Sequence, residues 1–196
     1  MMLRKILVIL CFSATNAMAQ VNKITEKQAA AAIDYKQTGA PMPMLLLITS
    51  YDTSIQTEVK NGKKKEMNIG KGTHKPYINN DDLDNGANLF VMMFNPTCSH
   101  CEDETELLEK NISLFRKSKI VMVAAKPMKP YMPDFIRSFH INEYPAMYIG
   151  TDSTNFIDNV FLYTALPQIN IYDNHRKLIK TYTGHVEIDS LKQFIE

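Results

Sequence analysis

The sequence predicts an α/β fold, and three observations carry that prediction. Leu89-Phe90-Val91-Met92-Met93-Phe94 is an uninterrupted apolar run of strand length, the pattern of a strand buried on both faces. Residues 99–116 then place Cys101, Thr105, Leu108, Ile112 and Phe115 at alternating steps of four and three, the spacing of one helix face. A second apolar run, Ile120-Val121-Met122-Val123, follows, giving a strand–helix–strand unit whose strands should be parallel with a right-handed crossover.

The remaining elements can be read in order around that unit. Thr25-x-x-Gln28 is a capping box opening an Ala-rich helix through Tyr35, which Gly39 would end, and Ala40-Pro41-Met42-Pro43 breaks the chain. Leu45 to Thr49 and the alternating Ile55-x-Thr57-x-Val59 read as strands, with Asn61-Gly62 a two-residue hairpin turn. Lys63-Lys64-Lys65 beside it reads as solvated loop, and Asn79-Asn80-Asp81-Asp82 as a turn. His74, alone in a Gly/Pro-flanked loop, reads as a surface residue. After the central unit, residues 130–140 hold a short helix that buries Phe135, Ile136 and Phe139; Tyr144 to Ile149 is a strand and residues 152–163 a helix. Ile169 to Tyr172, the turn Asp173-Asn174, Leu178 to Tyr182 and a helix over residues 187–195 close the chain as hairpin and helix.

Charge excludes one class of partner. With 22 Lys+Arg against 21 Asp+Glu in 196 residues, the chain lacks the basic excess of a nucleic-acid binder, and its one basic run sits by a turn without aromatics. At 45% hydrophobic and 22% charged it has the composition of an ordinary globular protein that can bury a core without metal or disulfide staples.

Residues 1–19 read as an address. Arg4 and Lys5, the apolar stretch Ile6 to Phe12 and the ending Ala17-Met18-Ala19 form the basic, apolar and small-x-small regions of a secretory signal peptide, with cleavage expected before Gln20. The apolar stretch is too short to span a bilayer, and no later run is long enough. A lipid anchor on Cys11 would require a small residue where Leu10 stands. The expectation is a protein exported to the periplasm or secreted. Cleavage removes Cys11 and leaves Cys98 and Cys101, spaced Cys-x-x-Cys, in a compartment where disulfides form.

That spacing has chemical content. Cys98 falls where a buried strand turns into a helix, so unpaired backbone N–H groups and the helix dipole favour its thiolate, the nucleophile in disulfide exchange. Cys101, one turn on and facing inward, is shielded from outside reagents but placed to attack a mixed disulfide on Cys98. Other readings of the pair have less support. A structural disulfide across two intervening residues would constrain little of the unfolded chain. Structural zinc needs a second ligand pair, which His74, His140, His175 and His185 do not supply by spacing. Copper handling, drawing on the thiolates, His100, Met92 and Met93, would take its methionines from the core strand.

The apolar strand, Phe94-Asn95-Pro96-Thr97-Cys98-Ser99-His100-Cys101 at a helix start, and Leu166-Pro167 leading into strand–strand–helix together resemble the thioredoxin superfamily. Within it the chain looks most like exported thiol-disulfide oxidoreductases, the group that includes bacterial envelope reductases serving cytochrome c maturation. The resemblance implies a three-layer fold with a central mixed β-sheet over residues 81–196, an insertion between its two halves, and residues 20–80 as an N-terminal helix and hairpin extension. It implies exchange with protein thiols and disulfides and with a redox partner protein through Cys98 and Cys101, without organic cofactor or metal. Thr97, Ser99 and His100 would tune the pair. Pro167 would follow a cis peptide bond and Leu166 would offer its backbone to a substrate strand.

Departures from the family pattern sharpen the questions for the structure. Thr97 stands where tryptophan is common, and Met92 where a buried acid often serves proton transfer to the second cysteine; Glu143 or water would have to replace it. Glu102, Asp103, Glu104 and Glu106 read as solvated helix-surface carboxylates that favour the helix but oppose a thiolate on Cys98. A Cys-x-His-Cys motif resembles those of strong periplasmic oxidants, whereas the overall pattern resembles reductases, which leaves the direction of exchange open. A peroxidase of the peroxiredoxin type would need threonine where Asn95 stands.

Overall fold

The computed structural model describes residues 33–49, 56–60, 63–67, 75–155, 160 and 165–196. The expected signal peptide, nearly all of the first helix, Asn61-Gly62, His74 and most of the expected helix over 152–163 lie outside them. The chain divides into two compact units, Met1–Asp34 and Tyr35–Glu196, and the second carries the fold.

Seven strands form one mixed sheet. In chain order these are β1 (Leu46–Thr49), β4 (Tyr77–Asn79), β5 (Leu89–Phe94), β6 (Lys119–Ala124), β7 (Met147–Asp152), β8 (Gln168–Tyr172) and β9 (Leu178–Thr183). They lie in the order β4-β1-β7-β6-β5-β8-β9. β5, β6 and β7 run parallel, while β8 and β9 on one side and β1 and β4 on the other are antiparallel. A separate hairpin pairs β2 (Gln56–Lys60) with β3 (Lys63–Met67), and Lys60 faces Lys63 across it. Lys63-Lys64-Lys65 is therefore strand rather than solvated loop, its pairing with β2 overriding the turn-side charge.

The central apolar runs do what their patterns require. Successive side chains of β5 point to opposite faces, so Phe90, Met92 and Phe94 enter one core and Leu89, Val91 and Met93 the other, all at most 2% exposed. The first core is covered by α2 (Ser99–Lys110), which contributes Cys101 and Leu108, by α3 (Met132–Ser138), which contributes Met132, Phe135 and Ile136, and by Leu191 of α4 (Ile188–Lys192). The Phe94 ring packs tilted against Phe135 at 4.9 Å, and Phe135 against Phe139 at 4.7 Å, fixing the segment between β6 and β7 beside the C-terminal end of β5. The second core gathers Leu45, Leu47, Val121, Val123, Tyr172 and Leu178.

Some boundaries differ from the periodicity. α2 stops at Lys110, where Asn111 ends it and a 3-10 turn over Ile112–Leu114 follows, so Ile112 and Phe115 reach the core without extending the helix. Asn79 to Asp82 is more than a turn: Asn79 ends β4 and caps α1 (Asn80–Leu83), its side chain accepting from the Asp82 N–H while the Asp82 carboxylate accepts from the Asn79 N–H.

One glycine marks a tight approach between strands. A Cβ on Gly150 of β7 would sit 2.7 Å from the Ile48 carbonyl oxygen of β1, a backbone atom that cannot move alone. Gly150→Ala is expected to cost about 1–3 kcal/mol in denaturant unfolding by forcing β1 from β7; an unchanged midpoint would show that this edge yields freely.

Candidate functional site

The site begins with the way β5 ends. Asn95 folds the chain into an Asx turn: its side-chain oxygen accepts from the Thr97 N–H and hydroxyl, both at 2.9 Å, and its carbonyl accepts from the Cys98 N–H at 3.1 Å. Pro96, lacking an N–H, leaves no donor unpaired in that turn. The chain leaves it with Cys98 as the N-cap of α2, φ −105° and ψ 118°, and the Cys98 carbonyl accepts from the N–H groups of Cys101 and Glu102. No side chain caps the helix, and the half-buried Cys98 stands at its N-cap position.

Cys101 is in a different environment. It is completely buried in the first core, and its sulfur accepts from the Asn95 N–H at 3.5 Å. Burial pushes its thiol up to about 12; the hydrogen bond to Cys98 and the charges of Cys98 and Glu102 act in the same direction, against the Asn95 N–H. Both cysteines are free thiols. The arrangement holds one sulfur half-accessible at a helix start and a second, one turn away, protonated and out of reach of solvent.

The buried acid is not where the family pattern would put it. Met92 is fully buried packing, and Met93 lies on the opposite face of the strand. Glu143 is exposed and precedes Tyr144, whose hydroxyl donates to Glu109 in the last turns of α2, far from the cysteines. The acid is Glu104. Sequence reading placed it among solvated carboxylates, but it is 0% exposed, and only Glu102, Asp103 and Glu106 are at the surface. One carboxylate oxygen accepts from the Val186 N–H at 3.1 Å and meets His185 Nδ1 at 3.1 Å; the other is buried with no hydrogen-bond partner. Burial raises its pKa, outweighing the Val186 N–H and His185. His185 is itself 53% exposed, so it links the buried carboxyl to solvent. The signal was present in the spacing: Cys101, Glu104 and Leu108 lie three and four residues apart on one stripe.

Register places the remaining expected residues. Met93 of β5 pairs with Gln168 of β8, so Leu166-Pro167 enters the sheet at the end from which Cys98 leaves it. The Leu166–Pro167 peptide is cis. The Pro167 carbonyl accepts from the N–H of Gly184 at 2.8 Å, and Gly184, at φ 78°, turns the chain from β9 toward His185 and Val186. Thus the loop that binds Glu104 also holds the proline loop. Thr97, Ser99 and His100 are exposed around Cys98. Among the described residues no three or more His, Cys, Asp or Glu side chains cluster to hold a metal ion.

No protein-family profile matches the sequence, and no curated protein matches it. Solved structures match in fold. The thioredoxin domain of a thiol-disulfide oxidoreductase from Bacteroides vulgatus is 15% identical over 82% of this chain and 99% of that one, with a TM-score of 0.57. A Chlorobium tepidum protein assigned as thiol:disulfide interchange protein DsbE is 13% identical over 80% and 94%, at 0.56, and StoA from Bacillus subtilis is 16% identical over 81% and 99%, at 0.51. The chain has a thioredoxin-like fold.

Two outcomes follow from the burial. Iodoacetamide should alkylate Cys98 in the native, reduced protein at pH 8 and reach Cys101 only after denaturation; equal labelling of both would contradict the asymmetry. Because folding favours the protonated form of Glu104, the stability it contributes is fully present below the unfolded carboxyl pKa of about 4.3 and is lost as pH rises through its higher folded pKa. Relative to Glu104→Gln, the wild-type urea midpoint should therefore fall across that window; parallel curves would show that the carboxyl titrates normally.

Proposed function

We propose that this protein is an exported thiol-disulfide oxidoreductase that exchanges disulfides with protein substrates through Cys98 and Cys101. The observation that carries the proposal is the inequality of the two thiols. A nucleophile needs access, which half-exposure at the start of α2 gives Cys98, while the resolving group must stay protonated and shielded until a mixed disulfide forms, which burial imposes on Cys101.

From the dithiol state, the Cys98 thiolate attacks one sulfur of a substrate disulfide. A new S–S bond to Cys98 forms, the substrate bond breaks, and the departing sulfur leaves with the electron pair and takes up a proton. Cys101 then loses its proton and attacks the Cys98 sulfur, releasing the second substrate thiol and leaving a Cys98–Cys101 disulfide, so two electrons have passed to the substrate. In this reading Glu104, one turn from Cys101 on α2 and with its pKa raised by burial, exchanges that proton, with His185 as its contact with solvent. The sequence Leu166-Pro167 supplies backbone for the substrate segment at the same sheet end. A dithiol of a redox partner protein returns the pair to the reduced state, and the same steps in reverse oxidise a substrate. The electrons reside in sulfur throughout, so the chemistry calls for no organic cofactor. Export rests on residues 1–19, and no helix among the described residues is long and apolar enough to cross a membrane.

Substitution separates the two roles. Cys101→Ser should accumulate a mixed disulfide with a disulfide-bonded substrate protein, visible on a non-reducing gel, whereas Cys98→Ser should trap none and reduce substrate only at the uncatalysed rate. Equal trapping by the two variants would remove the basis for the assignment.

A further inference from the structure

A cavity of about 410 Å³ is lined by Pro96 and Thr97, the two residues before Cys98, and by Glu102. Pro96 and Thr97 form one wall; Glu102 of the first α2 turns lies on another; Tyr131, Asp134 and Phe139 from the segment between β6 and β7 close it. Its chemistry is mixed in a particular way. Pro96, Phe139 and the Tyr131 ring offer apolar surface, and Tyr131 is 52% exposed. Two carboxylates face the same space. Asp134 pairs with Arg137, while the exposed Glu102 carboxylate makes no hydrogen bond or ion pair with any described residue. No lysine or arginine lines the cavity; Lys126 and Lys129 lie earlier on the 3-10 segment that leads to Tyr131, and Asp103 adds a further exposed carboxylate next to Glu102.

A cavity that combines apolar surface, an exposed aromatic ring and the unpaired Glu102 carboxylate matches a long aliphatic stem carrying a positive head, which the ring and Glu102 can both engage. An acidic segment would instead meet Glu102 and Asp103 without compensation. A polypeptide joined to Cys98 has its neighbouring residues within about 3.5 Å per residue of the sulfur, so the first few flanking side chains fall at this opening. The near neutrality of the whole chain means that long-range attraction cannot select partners, and selection has to be local.

We propose that this cavity receives a lysine or arginine of the substrate polypeptide, so that the protein prefers disulfides whose cysteine is flanked by cationic residues. The proposal rests on the oxidoreductase reading above and concerns which substrates that site accepts.

The test uses the full-length reduced protein and two symmetric disulfide-linked peptide dimers of equal length, one with arginine and one with glutamate two residues from the cysteine, with hydroxyethyl disulfide as an uncharged control. In each reaction the Cys98 thiolate displaces one half of the disulfide as a thiolate, and Cys101 releases the other, so rates are followed by the free thiols produced. The arginine peptide should react about three- to tenfold faster than the glutamate peptide, and the ratio should shrink toward unity in high salt. Glu102→Lys should erase or invert the ratio, and Tyr131→Ala should reduce it; because the ratio is taken within each variant, changes in intrinsic thiol reactivity cancel. Equal rates for the two peptides, with hydroxyethyl disulfide still reduced, would overturn cationic docking and leave the oxidoreductase reading standing. A preference that persists undiminished in both variants would overturn the assignment to this cavity. Failure to reduce any of the three disulfides would sink the oxidoreductase reading, and the docking proposal with it.

Discussion

Asn95 is the residue on which the site depends. Its backbone N–H donates to the Cys101 sulfur, its carbonyl accepts from the Cys98 N–H, and its side-chain oxygen accepts from the N–H and hydroxyl of Thr97. One residue thus ends the buried strand β5, shapes the turn and holds both cysteines at the start of α2. The strand can serve as a fixed base because every side chain in it is buried, three on each face, and because it pairs with β6 on one side and β8 on the other. Loss of the Asn95 side chain would free the turn while leaving both sulfurs in the sequence, so the chemistry depends on a local fold as much as on two residue types.

A second constraint ties the helix to the opposite loop. Glu104 reaches from α2 to the Val186 N–H and to His185, and Gly184 of the same loop donates to Pro167. The cysteine helix, the loop after β9 and the cis-proline loop therefore form one hydrogen-bonded unit at one end of the sheet. Burying a carboxyl with one oxygen unpaired is unfavourable for stability, and the same burial disfavours its charged form and raises its pKa. In the proposed exchange, the same environment supplies a carboxyl one turn along α2 from Cys101. Structural expense and chemical usefulness have one origin here, which is a charge-bearing side chain placed on an otherwise apolar stripe.

Much of this was legible in the sequence, and the exceptions have identifiable causes. The runs Leu89–Phe94 and Lys119–Ala124 declared themselves because a strand covered on both faces has no reason to alternate. The cysteine pair declared itself through its spacing and its place between strand and helix. Pro167 was readable only through family resemblance, since a proline before a strand is ordinary in isolation. Glu104 escaped because residue type was given more weight than position: glutamate reads as surface, yet its spacing from Cys101 and Leu108 put it on the buried face. β4 escaped because three residues ending in asparagine carry little pattern, and its pairing with β1 comes entirely from tertiary context. The end of α2 was overrun because Ile112 and Phe115 kept the apolar rhythm through a 3-10 turn.

The central claim is that Cys98 and Cys101 form a reversible two-electron couple. The most direct measurement equilibrates the purified protein in a series of glutathione buffers, quenches with acid, alkylates the free thiols and reads the two states by mass. The account predicts a single transition between a dialkylated dithiol and an unalkylated form lacking two hydrogens, with the midpoint giving the reduction potential and hence the direction in which the pair works. A protein that stays dithiol across the whole series, or that collects stable glutathione adducts on Cys98 without closing to Cys101, would contradict it.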